Sequence, residues 1–251
     1  MTRMNPQTPI TERLRGLDAV LFDLDGTLLD TIPHILASFR YATETVLGEP
    51  LPDETLMRNV GIPLATQMRL LVDDQATAEQ LLDAYKQFNS ANHDEMARLF
   101  PGTREALREL SAHCVPLGVV TSKGTAMARR GLDLFELGDF FAVVVTSDDT
   151  SAHKPDPDPV LHAAALLGAS PARCLYVGDS PHDVEAGRAA GAITAAATWG
   201  VSDRERLSSA EPDIMVDDIR ELAALVCTNG QNGRHGRTAA ERNATSVASN
   251  E

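Results

Sequence analysis

Asp23 and Asp25 sit in the run VLFDLDGTLLDT (residues 20–31), directly behind an apolar segment that would ordinarily continue into a protein core. Three further apolar runs also end in polar groups. Thr121 and Ser122 close VPLGVVTS, Lys154 lies in SAHKPDPDP after FFAVVVTS, and Asp179 closes RCLYVGD with Asp183 four residues on. Taken singly, each reads equally well as a turn or helix cap: GDSPHD is a capped helix start with Pro181 in its first turn. Taken together they describe a site. Carboxylates converging on one edge repel and raise one another's pKa unless a cation neutralises them. An all-oxygen set suits Mg²⁺, which keeps waters and shares its shell with a phosphate. A metal with one lysine, hydroxyls and glycine-flanked amides holds a phosphoryl group from several directions.

These residues can converge only if strands deliver them to one edge. The runs DAVLFDL, VPLGVVTS, FFAVVVTS, RCLYVGD and AITAAAT are nearly continuous apolar stretches, and helical patterns such as TREALRELSAH and PDPVLHAAALLGA separate them. That alternation predicts a doubly wound α/β domain, a parallel sheet with helices on both faces whose reactive groups gather at the C-terminal strand ends. PDIMVDD and IRELAALV add an edge strand and a closing helix. Between about residues 33 and 99 there are only helical patterns, too long and amphipathic for a crossover, so an inserted helical unit is expected where α/β ligands bind. The predicted division is a flexible N-terminal tail over 1–16, a core of 17–31 plus 99–226, a helical cap over 32–98, and a disordered tail over 227–251 that is too poor in large apolar residues to offset ordering.

Composition narrows the function. A net charge of -14 over 251 residues argues against nucleic-acid or anionic-membrane partners, which recruit clustered Lys and Arg. No apolar stretch spans a bilayer and the N-terminus lacks a signal-peptide core, so a cytoplasmic protein is expected. Cys114, Cys174 and Cys227 have no metal or disulfide spacing and read as buried free thiols. The chain has three lysines, Lys86, Lys123 and Lys154, against nineteen arginines, which marks each lysine as a place for a point-like ammonium.

DLDGTLLD, VVTSK, HKP and VGDSPHD, in that order, resemble the four motifs of haloacid dehalogenase superfamily phosphatases with a helical cap after the first motif, over residues 17–226. The resemblance implies a Rossmannoid sheet of strand order 3-2-1-4-5, placing the first and fourth strands, and hence Asp23 and Asp179, side by side. It implies Asp23 as nucleophile and Asp25 as acid and base. It implies Mg²⁺ on the Asp23 and Asp179 carboxylates and the Asp25 carbonyl, with Asp183 fixing a metal water. Thr121 and Ser122 would bind phosphate oxygens, and Lys154 would neutralise charge. Gly26 and Thr27 would shape the turn after the nucleophile, in contact with substrate, Thr27 orienting Asp25.

Asp25 sets the chain apart from dehalogenases, which lack an aspartate there, and from phosphonate hydrolases, which use a cap lysine; Lys86 reads as a solvated helix face. Receiver modules order their motifs differently. A phosphosugar mutase shares cap and motifs, and net phosphate release separates it. The expected substrate is a small phosphate ester, phosphoglycolate first and pyrophosphate as the alternative, acted on by a monomer or homodimer. NVGIPLATQMR looks like the family's specificity loop, with Gly61, Arg58 and Arg69 as candidate substrate contacts and Arg40 a weaker one. The histidines have no ligand spacing, and His182 reads as a loop or capping residue.

Overall fold

The apolar runs do become strands, each shorter than its run. In the computed structural model, which describes residues 8–113 and 115–234, the core elements in chain order begin with α1 (Ile10–Arg13) and β1 (Ala19–Phe22). A short β2 (Leu29–Asp30) leads into four helices: α2 (Ile32–Leu47), α3 (Asp53–Met57), α4 (Leu64–Leu71) and α5 (Gln75–Met96). The chain returns through β3 (Arg98–Leu99) to α6 (Thr103–Ala112), β4 (Leu117–Val120), α7 (Thr125–Leu134), β5 (Val143–Val145) and α8 (Asp158–Leu166). It closes with β6 (Cys174–Gly178), α9 (Pro181–Ala190), β7 (Ile193–Ala197), α10 (Arg204–Ser209), β8 (Ile214–Val216) and α11 (Ile219–Arg234).

Six strands form one parallel sheet in the order β5-β4-β1-β6-β7-β8. Its first five members, counted along the core, follow the expected 3-2-1-4-5, and β8 is the expected edge strand. Burial explains why the runs are apolar without alternation. In β1, Val20 and Phe22 join one core with Leu107 of α6 and Leu222 of α11, while Ala19 and Leu21 join another with Val160 of α8 and Tyr176. Side chains alternate between faces, and both faces are dry. The sheet pairing reaches one residue past β1, where Asp23 N donates to Val177 O at 2.8 Å, so Asp23 leaves the sheet from its central strand.

Residues 32–96 are helical apart from their connections and bury an apolar cluster of their own, with Phe39 and Leu81 at most 1% exposed. Phe39 of α2 meets Tyr85 of α5 edge to face, with ring centroids 4.9 Å apart. The two chain crossings between this cap and the core are bound as one antiparallel pair, Leu29↔Leu99 and Asp30↔Arg98. Two-residue strands carry no readable periodicity, which is why sequence patterns miss β2 and β3. Further contacts brace the cap: Arg130 of α7 donates to Asp94 of α5 at 2.8 Å, Arg206 of α10 to Arg58 O at 3.0 Å, and Ser122 Oγ to Gly61 O at 2.6 Å.

Both expected tails need correction at their inner ends. Residues 10–14 are folded: Leu14 is buried in the main core, and the buried Arg13 guanidinium grips Asp213 with both amino nitrogens, at 2.6 and 3.0 Å. At the other end α11 runs on to Arg234, with Cys227 buried against α6. Short polar-looking segments hide such docking because one leucine and one arginine suffice to anchor them. Residues 1–7 and 235–251, and Cys114, lie outside the described residues, and Cys174 and Cys227 are free and buried. Among the described residues no helix is long and apolar enough to cross a membrane. Arg13→Ala, which removes the guanidinium from a part-buried Asp213 that keeps its bonds from Thr194 N and Oγ1, is expected to cost about 3 kcal/mol, read as a fall of roughly 6–12 °C in Tm by differential scanning calorimetry.

Candidate active site

The central strand ends at Phe22, so Asp23 and the turn after it stand over the C-terminal edge of the sheet, between the ends of β4 and β6. Lys154 reaches them from the loop before α8. Its Nζ donates to Asp23 Oδ1 at 2.9 Å and to Asp183 Oδ1 at 2.6 Å, with the ammonium 1% exposed. Asp183 is held from every side. It also accepts from Tyr176 Oη at 2.8 Å, from Ser180 N at 3.1 Å and from Ser180 Oγ at 2.5 Å. The bond from Ser180 N, with Asp183 N returning to Ser180 Oγ, forms the capping box of α9, and Pro181 occupies its first turn. The cap reading and the site reading of GDSPHD therefore hold together.

Asp179 has different partners. Val201 N donates to its Oδ2 at 2.6 Å and Thr27 Oγ1 to its Oδ1 at 3.4 Å, while Trp199 Nε1 ties down Thr27 O at 3.0 Å. Gly26 has a φ of 82°, and a Cβ there would overlap the Asp179 carboxylate. Only glycine permits both that turn and that approach. Gly26 and Thr27 thus shape the setting of Asp179, and the expected pairing of Thr27 with Asp25 is corrected. Asp25 is oriented by Thr31, whose hydroxyl donates to Oδ1 at 2.6 Å, and by Lys123, whose Nζ donates to both oxygens at 2.7 and 2.8 Å.

The electrostatics follow from these partners. Burial pushes the Asp23 carboxyl up to about 7, with the Asp183 and Asp25 charges adding to the rise and Lys154 opposing it. Asp179 is pushed well above the carboxylate range by burial, Asp183 and Asp23. Burial would also raise Asp25, but the Lys123 ammonium and the Thr31 hydroxyl outweigh it and hold Asp25 low. Asp183 is likewise lowered against burial, by Lys154 and its hydrogen bonds. The chain therefore supplies one ammonium for three carboxylates, Asp23, Asp179 and Asp183, whose ligand oxygens lie within 4.8 Å of one another. Hard oxygen donors in such negative surplus fit a divalent cation.

Above the carboxylates, between core and cap, lies a partly open cavity of about 550 Å³. Asp23, Asp25, Thr121, Ser122, Lys154 and Asp179 face it from the core. Gly61, with φ 115°, closes one side where a Cβ would stand 2.7 Å from Ser180 Oγ. Ser122 spends its hydroxyl on the Gly61 carbonyl, and Thr121 Oγ1 accepts from Lys123 N at 3.2 Å.

The candidate arginines of the cap lie outside this cavity. Arg58 and Arg69 do not line the cavity: Arg58 is exposed, 3.8 Å from Glu54, and Arg69 donates to Ala65 O of its own helix. Arg40 is also elsewhere, paired with Asp53 on the cap surface. Lys86, read as a solvated face, is exposed as expected, and it also stands at the cavity's lining on α5. Lys123 was visible in the sequence as a rare lysine after TS, but its partner six residues before Thr31 was not. Nor was the buried group at the cap base, where Asn89 Nδ2 donates to Ser38 Oγ at 3.1 Å and lies 3.4 Å from His34 Nδ1. Burial, Lys123 and His93 push His34 down to about 4, so its ring is neutral.

The family model described as haloacid dehalogenase-like hydrolase matches residues 20–197. A Bacillus cereus protein named pyrophosphatase PpaX is 36% identical over 210 residues, 84% of this chain and 96% of that one. Among solved structures, a Streptococcus pneumoniae hydrolase named as a haloacid dehalogenase-like family protein superposes with a TM-score of 0.73 at 28% identity, covering 83% of this chain and 97% of that one. A Haemophilus somnus protein titled a predicted phosphoglycolate phosphatase gives a TM-score of 0.76 at 24% identity, covering 82% and 96%, a likeness of fold alone. With the four motifs gathered at one sheet edge under a helical cap, the chain belongs to the haloacid dehalogenase-like hydrolases and is a phosphatase of that family.

Proposed function

We propose that the protein is a Mg²⁺-dependent phosphatase that hydrolyses a small phosphorylated substrate through an aspartyl-phosphate on Asp23. The observation that carries this reading is the placement of Asp23 at the cavity floor, with Oδ1 on Lys154 and no protein hydrogen bond to Oδ2 among the described residues. That oxygen is available to phosphorus. In the first half-reaction a bond forms from Asp23 to phosphorus as the bond to the leaving oxygen breaks, and protonated Asp25 gives its proton to that oxygen. In the second, Asp25 takes a proton from water as its oxygen attacks phosphorus, releasing orthophosphate and Asp23. The low-lying, ionised Asp25 held by Lys123 and Thr31 suits this second, basic role. Lys154 offsets charge on Asp23 and the phosphoryl group, and Thr121 stands ready for its oxygens. Asp23, Asp179 and the Asp25 carbonyl would hold Mg²⁺, with Asp183 beside them, and the ion would supply the remaining positive charge.

For the substrate, the relatives above 30% identity named as pyrophosphatases support pyrophosphate ahead of phosphoglycolate. Phosphoglycolate, the first expectation, ranks behind it because the solved structures whose titles mention phosphoglycolate are 24% identical or less and speak for fold alone.

Asp23→Asn is expected to reduce phosphate release by about a thousandfold or more, and Asp25→Ala by about a hundred- to ten-thousandfold. Both are measured as steady-state orthophosphate release with Mg²⁺. Retention of activity in Asp23→Asn sinks the covalent reading.

Metal dependence has a readout without turnover. A carboxyl raised in the folded state, as Asp23 is to about 7 from 3.8, binds its proton more tightly when folded. Stability is therefore lost as pH rises between those values. In EDTA, Tm should fall from pH 5 to pH 8, and adding Mg²⁺ should raise Tm by several degrees more at pH 8 than at pH 5. An equal Mg²⁺ effect at both values argues against a cation on these carboxylates.

A further inference from the structure

Every lysine of this chain lines the cavity, and no described arginine does. Two of the three ammoniums are committed: Lys154 to Asp23 and Asp183, and Lys123 to both oxygens of Asp25. Lys86 is not. It is exposed, and among the described residues it enters no ion pair or hydrogen bond. Asp148, the cavity acid outside the catalytic group, already accepts from Thr125 N at 2.8 Å.

Lys86 is also placed for a ligand. Leu82, Tyr85, Lys86 and Asn89 all line the cavity, and their spacing defines one face of α5. The cap's part of the cavity lining includes the apolar Ile35, Phe39 and Leu82. A second anionic group carried toward that wall would lose its hydration without repayment unless a cation met it. Lys86 is the cap's cation in this cavity, the role that Arg58 and Arg69, both turned elsewhere, do not fill.

We infer that Lys86 is a specificity-determining residue that binds a second anionic group, a carboxylate or phosphate, on the leaving portion of the substrate. The inference rests on the phosphatase reading, in which Asp23 takes the scissile phosphate. A flexible ammonium suits it better than a guanidinium fork, since it can follow either anion without a fixed bidentate geometry.

The test compares orthophosphate release by the full-length chain with saturating Mg²⁺ on pyrophosphate, phosphoglycolate and methyl phosphate, whose leaving portion is neutral. In Lys86→Met and Lys86→Gln, the ratio of kcat/KM for the doubly anionic substrates to that for methyl phosphate should fall about tenfold, chiefly through KM, with part of it recovered in Lys86→Arg. A fall confined to pyrophosphate assigns the partner as phosphate, and one confined to phosphoglycolate assigns it as carboxylate. An unchanged ratio in both variants, or an equal loss on all three substrates, overturns the inference while leaving the phosphatase reading intact. No release by the unmodified protein from any of the three overturns both.

Discussion

One buried ammonium holds this architecture's chemistry together. Lys154 lies between Asp23, which leaves the end of β1, and Asp183, which caps α9 after β6. Four carboxylates crowd the sheet edge, and burial raises the cost of each unpaired charge. The fold tolerates them because the charges are shared out. Lys154 serves Asp23 and Asp183, Lys123 serves Asp25, and Asp179 is left with a backbone amide, a threonine hydroxyl and a surplus that a divalent cation would relieve.

The helices and glycines around this edge serve that division. The capping box of α9 uses Asp183 for a structural bond on one oxygen while the other faces Lys154 and Tyr176, so helix start and site are built from one side chain. Gly26 lets the turn after Asp23 pass within contact of Asp179, bringing two separate motifs into one cluster. Thr31, at the N-terminal boundary of the first cap helix, orients Asp25. The cap's entry and the Asp25 carboxylate are thereby linked through one hydroxyl.

The cap adds what the core lacks. Its own apolar cluster makes it a packed body, attached through the β2–β3 pair and braced by Arg130, Ser122 and Arg206. The core provides the carboxylates and two of the ammoniums. The cap adds a mostly apolar wall to the cavity above them and places there a lysine with no ion pair or hydrogen bond among the described residues. Gly61 is one of the places where the two bodies touch: its carbonyl accepts from Ser122, and its missing side chain leaves room for Ser180.

By itself, the sequence determined the strands, the sheet order implied by its motifs, the helical insertion and the aspartates at the strand ends. Those features are local: an apolar run buried on both faces has few alternatives, and a polar residue at its end can only emerge at the sheet edge. Lysine scarcity even marked the residues that face the cavity, though without saying which carboxylate each would meet. Tertiary structure alone decided the rest. Lys123 finds Asp25 across 98 positions, Thr27 turns to Asp179 and leaves Asp25 to Thr31, Arg13 clamps Asp213 across 200 positions, and the loop arginines lie outside the cavity while the exposed Lys86 stands at its lining. Such pairings depend on where helices and loops come to rest in three dimensions, and no periodicity of 2 or 3.6 residues encodes the partner of a side chain on another element.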